Sequence, residues 1–311
     1  MTRPQDGEMN SATNDSSEPI EAAAEPSGGA VPSKRGLAPG LYIVATPIGN
    51  AQDITLRALE TLRSADTIAC EDTRVSAKLL AIHGIRTPLL AYHDHNADRV
   101  RPQLLERLRG GERIALISDA GMPLVSDPGY KLVRDAIAAG LPVAGLPGPS
   151  AVLAALVLSG LPSDRFLFMG FLDAKSAGRR RQLAEVAALR TTLIFFESGP
   201  RLAASLADMT GMLGDRPAAV ARELTKLYEE VARGTLGELA RRYERDGPPR
   251  GEIVVVIGPP LDRVVAPEEI DEMLREALGR LSLRDAASEV ATRLDQPRRE
   301  IYARALALGK P

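Results

Sequence analysis

Three turns combine glycine and proline with small polar residues in a way that suits holding a flat small molecule by main-chain groups. They are Thr46-Pro47-Ile48-Gly49-Asn50, then Ser118-Asp119-Ala120-Gly121-Met122-Pro123-Leu124 running on through Ser126-Asp127-Pro128-Gly129, and Leu146-Pro147-Gly148-Pro149-Ser150-Ala151. Proline fixes the path of each turn, and glycine lets the backbone come close to a ligand. Any one of them reads as an ordinary turn. Three of them, each placed after a predicted strand, read as one binding edge. None spells G-x-G-x-x-G or G-x-x-x-x-G-K-[ST], and none carries the lysine that meets phosphates, so a conventional dinucleotide site and a P-loop are both disfavoured. A neutral or cationic ligand with an adenosine-like body fits better.

Other constellations offer different chemistry. His93 and His95 would share a face of a strand, but with one Cys and three His in the whole chain no metal centre is expected. Cys70 ends an apolar strand and reads as a small core filler rather than a nucleophile. Lys175, Arg179, Arg180 and Arg181 follow a predicted strand and would place four cations in a flexible loop for phosphates, the competing reading being a solvated helix start. Near the end of the chain, Ala286, Ala287, Val290 and Ala291 form a compact helix face. Asp295-Gln296-Pro297 then turns the chain, and Arg298, Arg299, Tyr302 and Arg304 fall on the next helix. That pattern reads as a helix-turn-helix presenting its second helix to nucleic acid, or as a plain helical hairpin packed on a dimer.

The elements needed to position these groups are legible as alternating patterns. Strands are predicted at 41–46, 66–70, 89–92, 113–118 and 142–146, with amphipathic helices between them; one such helix spans 54–63, with Asp53 as its cap. Alternation of this kind implies a mainly parallel sheet covered on both faces, with ligands bound beyond the carboxyl ends of its strands. A second set of strands, at 166–171, 192–196, 218–223, 228–233 and 252–257, includes two with no room for a helix between them and so implies a mixed sheet. Helices of this half are predicted at 178–189, 201–213 and 236–245. The expected division is a disordered tail at 1–36, an α/β domain at 37–160, a second at 161–260 and a helical segment at 265–311. The chain of 311 residues is 44% hydrophobic, enough for such cores, and its single Cys points to a reducing, cytoplasmic setting. Its longest wholly apolar run, Ala151 to Leu158, is far too short for a membrane span. A formal net charge of −2 denies it an overall basic field, though not local basic patches.

Ordered blocks from about Leu41 to Ile257 resemble one family, the small-subunit ribosomal RNA cytidine 2'-O-methyltransferases, a branch of the tetrapyrrole-methylase-like S-adenosylmethionine enzymes. They comprise the three turns, Asp53-Ile54-Thr55, Glu71-Asp72-Thr73-Arg74, His93-Asp94-His95-Asn96, Gly160 to Phe166, Phe195-Phe196-Glu197-Ser198 and Ala221-Arg222-Glu223-Leu224-Thr225-Lys226. The resemblance implies an α/β, two-domain tetrapyrrole-methylase-like fold with a mainly parallel N-terminal sheet, a mixed C-terminal sheet and a small helical tail. It also implies a homodimer with S-adenosylmethionine in the cleft between domains. Matching the family's blocks places Pro47, Asp119, Gly121, Met122, Ser150 and Ala151 around the cofactor, with Phe196, Ala221, Gly251 and Glu252 closing it from the second domain. The Asp119 charge suits a sulfonium, although a capping role is the plainer alternative. Two positions depart from the pattern: Met122 stands where similar enzymes often carry Thr, and Gly199-Pro200-Arg201 replaces a polar or His-containing stretch.

Methyl transfer to a ribose 2'-hydroxyl is an in-line displacement that needs orientation and a base. Asp72 or Asp94 is the favoured base, with Arg74 and Lys226 positioning RNA, although each carboxylate alone also reads as a cap or an ion-pair partner. Lys175, Arg179, Arg180, Arg181, Arg298 and Arg299 are the expected RNA contacts, and small-subunit ribosomal RNA, free or in the 30S subunit, is the expected partner, with no membrane and no metal. A tetrapyrrole C-methyltransferase on the same fold is the rival enzyme, and a non-enzymatic RNA-binding module is the third reading.

Overall fold

The computed structural model describes residues 36–261 and 267–308, apart from position 295. The predicted tail therefore lies outside the described residues except for Gly36, as does Asp295 of the predicted turn.

The first half alternates strand and helix: β1 (Gly40–Val44), α1 (Leu56–Ser64), β2 (Thr67–Cys70), α2 (Thr73–Ile82), β3 (Leu89–Ala91), α3 (Ala97–Arg109), β4 (Arg113–Ile117), α4 (Tyr130–Ala138), β5 (Val143–Leu146) and α5 (Ala151–Ser159). The strands pair in the order β3-β2-β4-β1-β5, and every pairing is parallel. Because side chains alternate across a strand, Leu41 and Ile43 face one way, packing with Leu104 of α3 and Leu132 of α4. Val44, Ile68 and Ile117 face the other, against Ala58 and Leu62 of α1 and Leu80 of α2. Cys70 is buried in that second cluster as a free thiol. Asp53 is not the cap of α1. It ends a single 3-10 turn opened by Asn50, Ile54 is extended, and the Thr55 side chain accepts the Ala58 N–H instead.

The second half holds β6 (Phe166–Phe171), α6 (Ser176–Val186), β7 (Thr192–Ser198), α7 (Gly199–Leu213), β8 (Pro217–Arg222), β9 (Glu230–Thr235), α8 (Leu236–Asp246) and β10 (Glu252–Ile257). Its sheet runs β6-β7-β10-β8-β9, parallel between β6 and β7 and antiparallel elsewhere. Phe195, Val255 and Val220 pack beneath Leu183, Leu202, Leu206 and Leu239 of α6, α7 and α8. The opposite face of this sheet receives α5, whose Val152, Ala155 and Leu156 meet Ile194, Ala221, Val254 and Val256. Helix α5 is apolar on every side, so this packing leaves Leu153 and Val157 exposed, at 51% and 72%.

Two expectations fail here for local reasons. The strand predicted from Tyr228 starts only at Glu230, because residues 225–229 are folded into turns by Lys226 N–H to Glu223 O and Glu229 N–H to Lys226 O. The basic run after β6 is not a flexible loop: α6 begins at Ser176, and its geometry turns Arg179 inward.

The last three helices, α9 (Pro267–Leu278), α10 (Leu283–Leu294) and α11 (Arg298–Leu308), share a core of Ile270, Leu274, Ala286, Ala287, Val290, Ala291, Ile301 and Ala305. The alanines let the helices approach closely. No helix among the described residues is long and apolar enough to cross a membrane.

Candidate active site

An all-parallel sheet brings every strand's carboxyl end to one edge, so the turns after β1, β4 and β5 must meet there. The first two are stitched together: Thr46 N–H donates to Gly121 O at 2.9 Å, and Gly121 N–H returns to Thr46 O at 3.0 Å. Gly121 makes this bridge at φ +78°, where a side chain would be strained. The third turn runs into α5, whose N-terminus is capped by the Ser150 hydroxyl. Facing these turns are the end of β7 at Phe196–Ser198, the start of β10 at residues 251–254, and Leu224 just after β8. Together they enclose a cleft of about 350 Å³.

Both flanks of the cleft are strained. All four non-glycine residues with positive φ among those described, Leu124, Ser126, Glu223 and Thr225, lie in the loops after β4 and β8. On the β8 side an ion-pair cluster fixes the geometry: Lys226 Nζ donates to Glu223 Oε1 at 2.8 Å and to Glu252 Oε2 at 2.9 Å, while Glu252 N–H donates to Glu223 Oε1 at 3.0 Å. Gly251 sits beneath it at φ +100°, and a Cβ there would lie 2.4 Å from the Glu223 carboxyl. Asn50 of the first turn joins the same loop, its N–H donating to Thr225 Oγ1 at 3.0 Å.

Carboxylates crowd the edge of the first sheet. Burial pushes the Asp119 carboxyl above its ordinary range, against the hydrogen bond it accepts from Asp72 N–H at 3.1 Å. Asp127 is also raised by burial, with the Ser118 hydroxyl pulling the other way. Glu71 is raised by burial and then by repulsion from Asp119, Asp127, Asp94 and Asp72. A cationic ligand would relieve this repulsion.

Of the residues expected around a cofactor, Gly121, Met122, Ser150, Ala151, Phe196, Gly251 and Glu252 line the cleft together. Pro47 is buried one residue before Ile48, which does line it, and Ala221 is buried in the α5 contact behind the wall. Asp119 is not among the lining residues; it is half-buried next to Ala120, which does line the cleft, and accepts from Asp72 N–H.

None of Asp72, Asp94, Arg74 and Lys226 lines the cleft. Asp72 caps α2 and is paired with Arg74 at 2.6 Å, which, with that hydrogen bonding, holds its carboxyl at about 2 and makes it a poor proton acceptor. Arg74 points outward, and Asp94 is exposed. Lys226 is held between two glutamates; burial opposes its charge, but these partners outweigh it and raise its pKa.

Arg179 also departs from expectation. It is 4% exposed and paired with Asp208 at 2.6 Å, which ties α6 to α7, so it is not available to a phosphate. Lys175, Arg180, Arg181, Arg298 and Arg299 are exposed. Arg304 packs inward, its guanidinium on Asp271 of α9. Sequence reasoning passed over Ser126, Asp127, Glu197 and Ser198 as lining residues, although all four lie in blocks it had singled out.

The fold and this cleft define a class: a family model described as tetrapyrrole (corrin/porphyrin) methylases matches residues 40–240. Cobalt precorrin-4 methyltransferase shares the fold, with a TM-score of 0.54 at 20% identity over 70% of this chain and 94% of that one. Diphthine synthase does too, at 0.55 and 18% over 70% and 89%. Within that class the chain is 53% identical to the ribosomal RNA small subunit methyltransferase I of Mesorhizobium japonicum, over 88% of its own length and 94% of the relative's. It is 51% identical to the protein of that name from Erythrobacter litoralis, over 88% and 96%. A second model, the RsmI C-terminal HTH domain, matches residues 264–309. The chain belongs to the ribosomal RNA small subunit methyltransferase I family.

Proposed function

We propose that this protein transfers the methyl group of S-adenosylmethionine to the 2'-oxygen of a cytidine ribose in small-subunit ribosomal RNA. The observation that carries this reading is similarity to named rRNA methyltransferases that runs through both sheets and is joined by a match to the C-terminal helices. The cleft fits the methyl donor: it is large enough for a folded nucleoside, has apolar walls at Met122, Phe196 and Leu224, and lies beside carboxylates that favour a sulfonium. Gly121, Met122, Ser150 and Ala151 would hold it from the first sheet, and Phe196, Gly251 and Glu252 from the second, with Pro47, Asp119 and Ala221 supporting them. When bound, the donor supplies an electrophilic methyl group, and the protein's task is to orient the acceptor oxygen in line with it.

The same reading divides the chain into domains at 37–160, 161–260 and 265–311. It gives RNA contact to Lys175, Arg180 and Arg181 at the start of α6 and to Arg298 and Arg299 at the start of α11. It also pairs two copies of the chain through the exposed apolar side of α5 and locates the protein in the cytoplasm, where bacterial subunits assemble. Incubation with methyl-labelled S-adenosylmethionine and either small ribosomal subunits or a porphyrinoid tests the function. Label in RNA, mapped by mass spectrometry to a 2'-O-methylcytidine, is the expected result. Label in the porphyrinoid alone would replace this reading with the tetrapyrrole one.

A further inference from the structure

The methyl-transfer reading requires a group that removes the proton of the acceptor hydroxyl. Three carboxylates line the cleft: Asp127, Glu197 and Glu252. Glu197 is 3% exposed and spent on structure, accepting from Ser198 N–H at 2.8 Å and from the Ser205 hydroxyl, with Arg201 Nε 3.3 Å away. Glu252 is held by Lys226 at 2.9 Å. Asp127 forms no ion pair among the described residues.

We propose that Asp127 is the general base of this site, taking the proton of the acceptor hydroxyl as the methyl group is transferred. This deepens the function proposed above and rests on it. The proton passes from the ribose 2'-oxygen to an Asp127 carboxylate oxygen, and the freed electron pair forms the new O–CH₃ bond. The C–S bond breaks with its pair remaining on sulfur, so the sulfonium charge is discharged and Asp127 is left neutral. The loop around Asp127 is suited to aiming a side chain. Leu124 and Ser126, three residues and one residue before it, have φ of 73° and 65°. Among nearby charged groups, Asp119 and Glu71 on its own sheet interact with Asp127, while Glu197 and Glu252 line the same cleft and Lys226 is joined to Glu252. Burial raises the Asp127 carboxyl above its ordinary value, helped by the Asp119 charge and opposed by the Ser118 hydroxyl.

The test is single-turnover methyl transfer to small subunits between pH 5 and 9 for the wild type, Asp127→Asn and Asp127→Glu, with S-adenosylmethionine binding followed by calorimetry. At saturating donor, with the saturating concentration taken from the calorimetry for each variant, Asp127→Asn is expected to slow transfer by about 10²- to 10⁴-fold. Its rate should also climb about tenfold per pH unit, as hydroxide replaces the missing base, where the wild-type rate levels off. Asp127→Glu keeps the carboxylate and should retain more activity than Asp127→Asn with a shifted acidic limb. A rate for Asp127→Asn within about threefold of wild type, or an Asp127→Glu profile identical to wild type, would overturn the assignment. Should Asp127→Asn fail to fold, the Asp127→Glu profile decides alone. Failure of the wild type to methylate any RNA while binding the donor would instead sink the function on which the inference rests.

Discussion

The two sheets contribute to one cleft by different geometric routes. In the first, five parallel strands all end on the same edge, so each loop that follows a strand is delivered to the site by topology alone. In the second, antiparallel pairing mixes strand ends with strand beginnings: the wall is made by the end of β7, the start of β10 and the residue after β8. Both edges carry strained turns, but the first adds raised carboxylates, whereas the second adds an apolar wall beside the Glu223–Lys226–Glu252 cluster. The parallel edge is therefore suited to chemistry, and the mixed edge to closing and positioning.

That contrast can be broken at several points. The largest effect is expected where the second sheet is built on a buried charge. Arg179→Ala strands Asp208, 14% exposed, without its ion-pair partner and, among the described residues, with only the Ser176 hydroxyl to satisfy it, and should cost about 3–5 kcal/mol in chemical denaturation. Next is Gly251→Ala, whose new Cβ meets the Glu223 carboxyl and forces the cluster open. Donor affinity should fall by about tenfold or more while the first sheet keeps its hydrogen-exchange protection. Smaller again, Arg180→Ala and Arg181→Ala should each leave stability within about 0.5 kcal/mol. Each should weaken RNA binding and reduce the salt dependence of that binding by about one unit of slope. These three arginines, adjacent in sequence, thus separate scaffold from contact.

The difference between the two edges also explains what the sequence revealed. Loops after parallel strands announce themselves, since each Gly/Pro turn directly follows an apolar run, and all three converge as expected. Gly251, Glu252 and Phe196 were reached only through the family's blocks, because nothing in local periodicity says that a strand's first residue will face a site. Capping was harder to read. Asp53 and Thr55 are both good N-cap residues, and only the 3-10 turn opened by Asn50 decides between them. The surroundings of Asp72 were hidden for a related reason: a carboxylate at a helix start, two residues before an arginine, satisfies its charge locally. Asp127 went unselected because its burial is a product of tertiary folding. Arg179 was misplaced because one turn of helix, invisible in a run of cations, sends neighbouring side chains to opposite sides.

The smallest predicted effect concerns pH and lies at the far edge of the first sheet. Asp66, gripped by Arg113 through two side-chain hydrogen bonds, titrates at about 2, below its ordinary 3.8. The folded state thus binds this proton less tightly than the unfolded chain, so the stabilisation is full above the ordinary carboxylate pKa and is lost as pH falls toward 2. Asp66→Asn should flatten the loss of melting temperature between pH 5 and 3, and an unchanged slope would remove this pair from the account.

In the function proposed above, both edges form a single donor site. A crystal structure with S-adenosylhomocysteine tests it most directly. The expected result is one molecule per chain, with its backbone contacts at Gly121 and Ser150 and its closure by Phe196 and Gly251. Density bound to one sheet alone, or outside the cleft, would contradict it.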